Sequence, residues 1–184
     1  MTRKQWPFDS AERRHTLARA RAAEALLQMP RDANRTMNVD VLTEVVIARP
    51  RDVVSAFAAD PDHAPAWYEN IKTVEWRTPG PLAVGSRVAF VAQFLGRRLE
   101  YTYEVVEWVA NERFVMRTAD GPFPMETTYE WEDADGGSTR MTLRNRGTPE
   151  GFSLWLAPVM GMAVRRANRK DLAALKAVLE SSIR

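Results

Sequence analysis

Six short stretches of alternating residues, each closed by a turn signal and followed by one long stretch of helical period, leave this chain few folds to choose from. Residues 71–77 end at Thr78-Pro79-Gly80, residues 87–94 turn at Gly96, and residues 99–109 turn at Asn111-Glu112. Residues 113–119 stop at Asp120-Gly121-Pro122, residues 125–132 turn through Asp135-Gly136-Gly137, and residues 138–146 end before Thr148-Pro149. Connections this short make neighbouring strands antiparallel. Ahead of them, Val39, Val41, Thr43, Val45 and Ile47 alternate with Asp40, Leu42, Glu44 and Val46, a β-branched first strand. Pro50 then stands where a helix begins, Val53, Val54 and Phe57 give it an apolar face, and a second short helical stretch follows over residues 61–68.

The last stretch, residues 151–183, is predicted to be a single helix. At about 100° per residue, Met160, Val164, Ala167, Leu172, Ala174, Leu175, Val178 and Leu179 share one arc, with Arg165, Arg166, Arg169, Lys176 and Glu180 opposite. The predicted fold class is α+β: a seven-stranded curved antiparallel sheet packed on a long C-terminal helix, with two short helices after the first strand. Asn168 and Asp171 interrupt the apolar arc. A carboxylate there needs company. Asp171 either pairs with an arginine or a sheet backbone group, reaches the helix edge, or meets a polar ligand.

Composition removes several kinds of chemistry. Cysteine is absent, which excludes disulfides, thiol nucleophiles and cysteine metal sites. His15 and His63 are the only histidines and lie in different segments, which argues against a histidine metal centre or a Ser-His-Asp triad. No cofactor or metal is implied. No apolar run approaches the roughly 20 residues that span a bilayer, and the expected location is cytoplasmic. Residues 1–36 hold eight of the Lys and Arg residues against four acidic ones, so the net charge of +2 leaves the remainder at −2. Nucleic-acid binding therefore has no basic-aromatic signature to support it. The cluster Arg165, Arg166, Arg169 and Lys170 is either a solvated helix face or a contact for an anionic partner.

The expected domains are a basic, partly helical appendage over residues 1–36 and a ligand-binding domain over residues 37–184. A helix is predicted from Ser10 to about Gln28, with few large aliphatics to bury. It is read as a surface helix on the domain, as an arm making weak peripheral contact with an anionic membrane or a partner, or as sequence ahead of a start at Met37. Nothing in the sequence sets an oligomeric state.

Beyond pattern, particular residues carry a likeness. They are Val45-Val46-Ile47 through Pro50, Val53-Val54 to Phe57, Trp67 with Val74 and Trp76, and Gly85-Ser86-Arg87-Val88. They continue with Gly96-Arg97-Arg98-Leu99, Tyr103-Glu104-Val105-Val106-Glu107, Gly137-Ser138-Thr139, and Asp171-Leu172 with Leu175-Lys176 and Leu179-Glu180. In this order they resemble the START-related, birch-pollen-allergen-like (SRPBCC) superfamily, and within it the polyketide cyclase/dehydratase and lipid-transport branch. The resemblance covers residues 39–183. It implies a helix-grip fold whose sheet wraps the long helix around a cavity for hydrophobic molecules. Mechanics agree, because one helix cannot fill the concave side of a strongly curved seven-stranded sheet.

Each strand alternates between two faces, and alternation alone does not say which is concave. Val88, Phe90, Ala92 and Phe94 form one set, Tyr101, Tyr103 and Val105 a second, Phe114, Met116 and Thr118 a third, and Met125, Thr127, Tyr129 and Trp131 a fourth. From these, Phe90, Phe94, Tyr101, Tyr103, Met116, Tyr129 and Trp131 are candidate ligand contacts, each of them equally explained as core. Trp67 and Tyr68 are expected at the cavity mouth with Phe152, Trp155 and Met160. Val164, Asn168 and Asp171 are expected to face the cavity from the helix. The Pro149-Glu150-Gly151 connection and Pro158 form either a gate or a plain helix cap.

Cyclisation or dehydration would need an acid or base beside an acidic carbon and donors for an enolate oxygen. Tyr101, Tyr103 and Asp171 are the catalytic candidates, with Glu104, Arg117 and Arg144 further titratable or charged groups of the sheet. No acid and base pair identifies itself, and His63 reads as a solvated turn residue. The favoured expectation is a carrier or sensor of a small hydrophobic molecule such as a lipid, an isoprenoid or a polyketide-like compound. The alternatives are a lyase of the cyclase/dehydratase type and an interaction module recruited through residues 1–36.

Overall fold

A computed structural model of the chain describes residues 39–94, 96–122, 124–148 and 157–181, with the side chains of Phe94, Arg97, Ala157 and Pro158 outside the description. Seven strands follow one another in sequence: β1 (Val39–Ile47), β2 (Ile71–Trp76), β3 (Arg87–Phe94), β4 (Arg97–Val109), β5 (Arg113–Asp120), β6 (Met125–Ala134) and β7 (Ser138–Gly147). They form one antiparallel sheet in the order β1-β7-β6-β5-β4-β3-β2. The consecutive hairpins run as the turn signals require, and β1 closes the sheet against β7, with Val39 opposite Gly147 and Ile47 opposite Thr139. Several turns use a left-handed backbone, among them those that open and close the middle of the sheet. Gly136 and Gly137 take φ of 71° and 72° between β6 and β7. Asn111 takes φ of 64° between β4 and β5, where its Oδ1 accepts the Ser55 hydroxyl at 2.6 Å.

Between β1 and β2 lie α1 (Arg51–Ala59), a 3-10 turn (Pro61–His63) and α2 (Ala64–Trp67). Asp60 caps the turn by accepting the Asp62 N–H, and Trp76 Nε1 ties Asp62 to β2 at 2.9 Å. His63 stacks on Phe57 with centroids 4.2 Å apart and lies within 3.5 Å of Asp60, as a half-buried turn residue. The long helix α3 (Ala157–Ser181) packs on β1 and α2. Its C-terminal end is fastened by polar contacts to the end of β1: Arg49 Nε donates to Leu179 O at 2.7 Å, Ala48 N donates to Glu180 Oε1 at 2.7 Å, and Lys176 Nζ donates to Val46 O at 2.6 Å.

The described side chains of the four alternating sets fall on one side. Val88, Phe90, Ala92, Tyr103, Val105, Phe114, Met116, Tyr129 and Trp131 join Ile47, Met141, Leu143, Leu172, Leu175 and Leu179 in one core beneath the helix. A register shift in β4 between Val105 and Glu107 keeps Trp108 on that side, where it meets Phe114 and Trp131 edge-on. The convex face carries charges whose sign changes from strand to strand: Arg87 with Glu104, Arg113 with Glu107 and Glu130, Arg117 with Glu126, and Arg144 with Asp40. Glu104, Arg117 and Arg144 are thereby placed away from the concave side.

Candidate functional site

A cavity of about 180 Å³ remains where the N-terminal half of α3 faces the sheet. That exceeds the roughly 150 Å³ that suffices for one benzene-sized ring. Phe90, Tyr101 and Tyr103 form one wall with ring centroids 5.3 to 6.1 Å apart. Met116, Met125 and Tyr129 continue it across β5 and β6, Trp67 and Tyr68 close it from α2, and Met160, Val164 and Ala167 line it from α3. Alternation on the strands and helical period on α3 thus aim separate stretches of sequence into one space.

Polar groups gather on the α3 side. Asp171 is 2% exposed, and its Oδ1 accepts the Glu69 backbone N–H at 3.0 Å. Burial pushes its carboxyl up to about 6, against which the Glu69 N–H and Lys170 act weakly. Lys170 Nζ also holds the Glu69 carboxylate at 3.1 Å, so the segment after α2 is tied to α3 twice. One turn before Asp171, Asn168 accepts from Asn145 Nδ2 at 3.0 Å, Asn145 Oδ1 accepts the Thr127 hydroxyl at 2.7 Å, and Thr127 meets the Tyr103 hydroxyl at 3.2 Å. Tyr68 and Tyr129 pair their hydroxyls at 2.5 Å. Burial raises the phenol pKa of Tyr68, Tyr101, Tyr103 and Tyr129, which keeps all four neutral at pH 7. They offer hydrogen bonds and ring faces, while Asp171 is a carboxyl able to exchange a proton near neutrality.

Residues 38–180 match the family model described as polyketide cyclase/dehydrase and lipid transport. The chain belongs to that family. Among solved structures, this member of the polyketide cyclase/dehydrase and lipid transport family is similar to TTHA0849 of Thermus thermophilus, at 19% identity and a TM-score of 0.69, covering 79% of this chain and 99% of that one. A START superfamily protein of Mycobacterium smegmatis matches at 14% identity and a TM-score of 0.68, covering 77% and 97%. The Zhui aromatase/cyclase of Streptomyces sp. R1128 matches at 18% and 0.67, covering 80% and 96%. Identities this low establish a shared fold, the helix-grip arrangement of the START and SRPBCC proteins. No curated protein matches the sequence.

Within this family member, the cavity wall takes in eleven of the residues singled out from sequence. Trp67, Tyr68, Phe90, Tyr101, Tyr103 and Met116 line it with Tyr129, Met160, Val164, Asn168 and Asp171. Trp67 is deep in the wall and 2% exposed, where a position at the mouth was expected. Trp131 is not among the lining residues, because it fills the core between Trp108 and Tyr129, farther along β6. The Phe94 side chain, Phe152 and Trp155 lie outside the described residues, as do the helix in residues 1–36 and residues 149–151 of the segment read as a gate or cap, while the Pro158 backbone is in the first turn of α3. Asn145 was missed. It stands on the inward face of β7 after Thr139, Met141 and Leu143, so the alternation that identified the aromatics already marked it as a polar residue on an apolar face.

Proposed function

We propose that the cavity holds a small hydrophobic molecule for carriage or sensing. The observation that carries this reading is the 180 Å³ space itself, lined by aromatic and aliphatic side chains at one end of a core packed tight at the other. Its size suits a compact, largely flat molecule of one or two rings or a short branched chain. The family description and the cavity side chains support this chemistry. Filling the space tests it: Ala92→Trp and Val164→Trp each place a large side chain on the wall. Both variants are expected to lose the small molecule that native mass spectrometry releases from the wild type, and retention by both would remove the cavity as the binding site.

Asp171 favours a second reading, a cyclase or dehydratase acting in the same space. A carboxyl with a pKa of about 6 in an apolar wall is poised to take and return a proton, and the aromatase/cyclase from Streptomyces shares this fold. Asp171→Asn and Tyr103→Phe should then abolish turnover while binding persists. Unchanged turnover in both variants would take these residues out of the chemistry.

A further inference from the structure

Three buried side-chain polar atoms have no hydrogen-bond partner among the described residues: Trp67 Nε1, Trp131 Nε1 and Asn168 Nδ2. Trp131 sits in the core away from the cavity, whereas Trp67 and Asn168 both belong to its wall. Asn168 is 3% exposed, and the reason its nitrogen is left over can be traced through its neighbours. Thr127 donates to Asn145 Oδ1, which turns Asn145 Nδ2 toward Asn168 Oδ1 and leaves Asn168 Nδ2 with no acceptor. A buried amide N–H without an acceptor costs free energy until something supplies one. One turn farther along α3, Asp171 places a carboxylate on the same wall, with one oxygen already committed to the Glu69 N–H.

We infer that Asn168 is the recognition residue for a hydrogen-bond acceptor on the ligand, and that the ligand is an uncharged, flat ketone or related carbonyl compound, with carboxylates excluded by Asp171. This rests on the cavity reading above and narrows it. The Asn168 nitrogen is buried and unpartnered in a residue that lines the cavity. The terminal torsion of an asparagine is broad, so a small turn that keeps the Asn145 hydrogen bond brings the amide nitrogen to a carbonyl seated against α3. The acceptor is neutral because an anion brought beside Asp171 in an apolar wall meets a like charge with little water to screen it. A fatty acid is thereby disfavoured although its chain would suit the apolar wall. The relay from Tyr103 through Thr127 and Asn145 fixes which end of the Asn168 amide is offered, making Asn145 a positioning residue.

The test uses three probes of nearly one shape on the full chain: acetylnaphthalene, which has the carbonyl, isopropenylnaphthalene, which replaces the carbonyl oxygen by a methylene, and naphthoate, an anion. Asn168→Leu should shift the ratio of ketone to hydrocarbon dissociation constants by about tenfold against the ketone. Asp171→Asn should tighten naphthoate by a comparable factor at pH 8 and leave the hydrocarbon unchanged. In the wild type, the carbonyl stretch of bound acetylnaphthalene should lie below its value in hexane, a readout that needs no variant to fold. A ratio unmoved by Asn168→Leu, together with an unshifted stretch, overturns the assignment while hydrocarbon binding upholds the cavity. If neither the ketone nor the hydrocarbon binds the wild type, the cavity reading falls and this inference with it.

Discussion

The two halves of α3 share one periodicity and meet two different surfaces. From Leu172 to Leu179 the helix presents Leu172, Leu175 and Leu179 to a part of the sheet filled by Ile47, Trp131, Met141 and Leu143, all in one core. From Met160 to Asp171 it presents Met160, Val164 and Ala167 only half-buried, with Asn168 and Asp171 buried beside them. Opposite this half the short side chains of Ala92, Thr127 and Asn145 stand among the large ones of Phe90, Tyr103, Met116 and Tyr129, and a cavity remains between them and the helix. A hydrophobic stripe therefore fixes where a helix lies, while the volume of the residues facing it decides whether the result is core or cavity.

The largest expected effect contrasts those halves directly. Leu175 is fully buried, so Leu175→Ala removes packing and opens a void in a region with little freedom to collapse, at a cost of about 2 to 5 kcal/mol. Val164 already borders empty space, so Val164→Ala should cost less than about 1 kcal/mol. Urea unfolding of the two variants measures both numbers. Equal losses would mean that the cavity half is packed as tightly as the core half, and the distinction would collapse.

Asp171 marks the boundary between the halves, and it ties stability to pH with a definite sign. Its folded pKa is raised from 3.8 to about 6, so the folded state holds the proton more tightly than the unfolded chain does. The favourable term is fully present below about pH 4 and is lost as pH rises through 6. Above that the buried carboxylate costs on the order of 2 to 3 kcal/mol. Asn at this position keeps an oxygen for the Glu69 N–H without the charge. Asp171→Asn should therefore match the wild type near pH 4 and exceed its melting temperature by several degrees at pH 8. A difference between the two proteins that stays constant across that range would show that Asp171 does not titrate in the cavity wall.

Much of this arrangement was legible in the chain because each signal was local. Turn residues delimited all six later strands to within two residues, and the apolar arc of α3 identified the buried Leu172, Leu175 and Leu179. What could not be read was any property that depends on curvature. Tyr129 and Trp131 are two residues apart on one face of β6, yet the cavity reaches Tyr129 and not Trp131. Glu104, Arg117 and Arg144 carry chemistry suited to catalysis but belong to cross-strand ion pairs on the convex face, which only the pairing register reveals. Asp171 was expected to meet an arginine or a sheet backbone group, to reach the helix edge, or to meet a polar ligand; its hydrogen-bond partner is the backbone of Glu69 in the connection after α2, a contact 102 residues away in sequence that no local pattern encodes.

A second acidic residue sharpens the same contrast from outside. Asp40 on β1 accepts two hydrogen bonds from Arg144, at 2.8 and 2.6 Å, and lies within 3.4 Å of Arg146. The Arg144 hydrogen bond holds its carboxyl below the usual 3.8, the reverse of Asp171, so its contribution is present above about pH 4 and disappears as pH falls through the lowered value. Asp40 is nearly half exposed, and water and salt screen most of that attraction. Asp40→Asn should consequently produce the smallest change considered, a slight drop in melting temperature at pH 7 that fades in 1 M salt and as the pH falls through the lowered value. A loss that persists undiminished in high salt would mean that the arginine pair holds the β1–β7 edge through hydrogen-bond geometry. The convex face would then be as exacting as the packed half of the helix, and the division of the molecule into a rigid core and a tolerant remainder would have to be redrawn along the sheet.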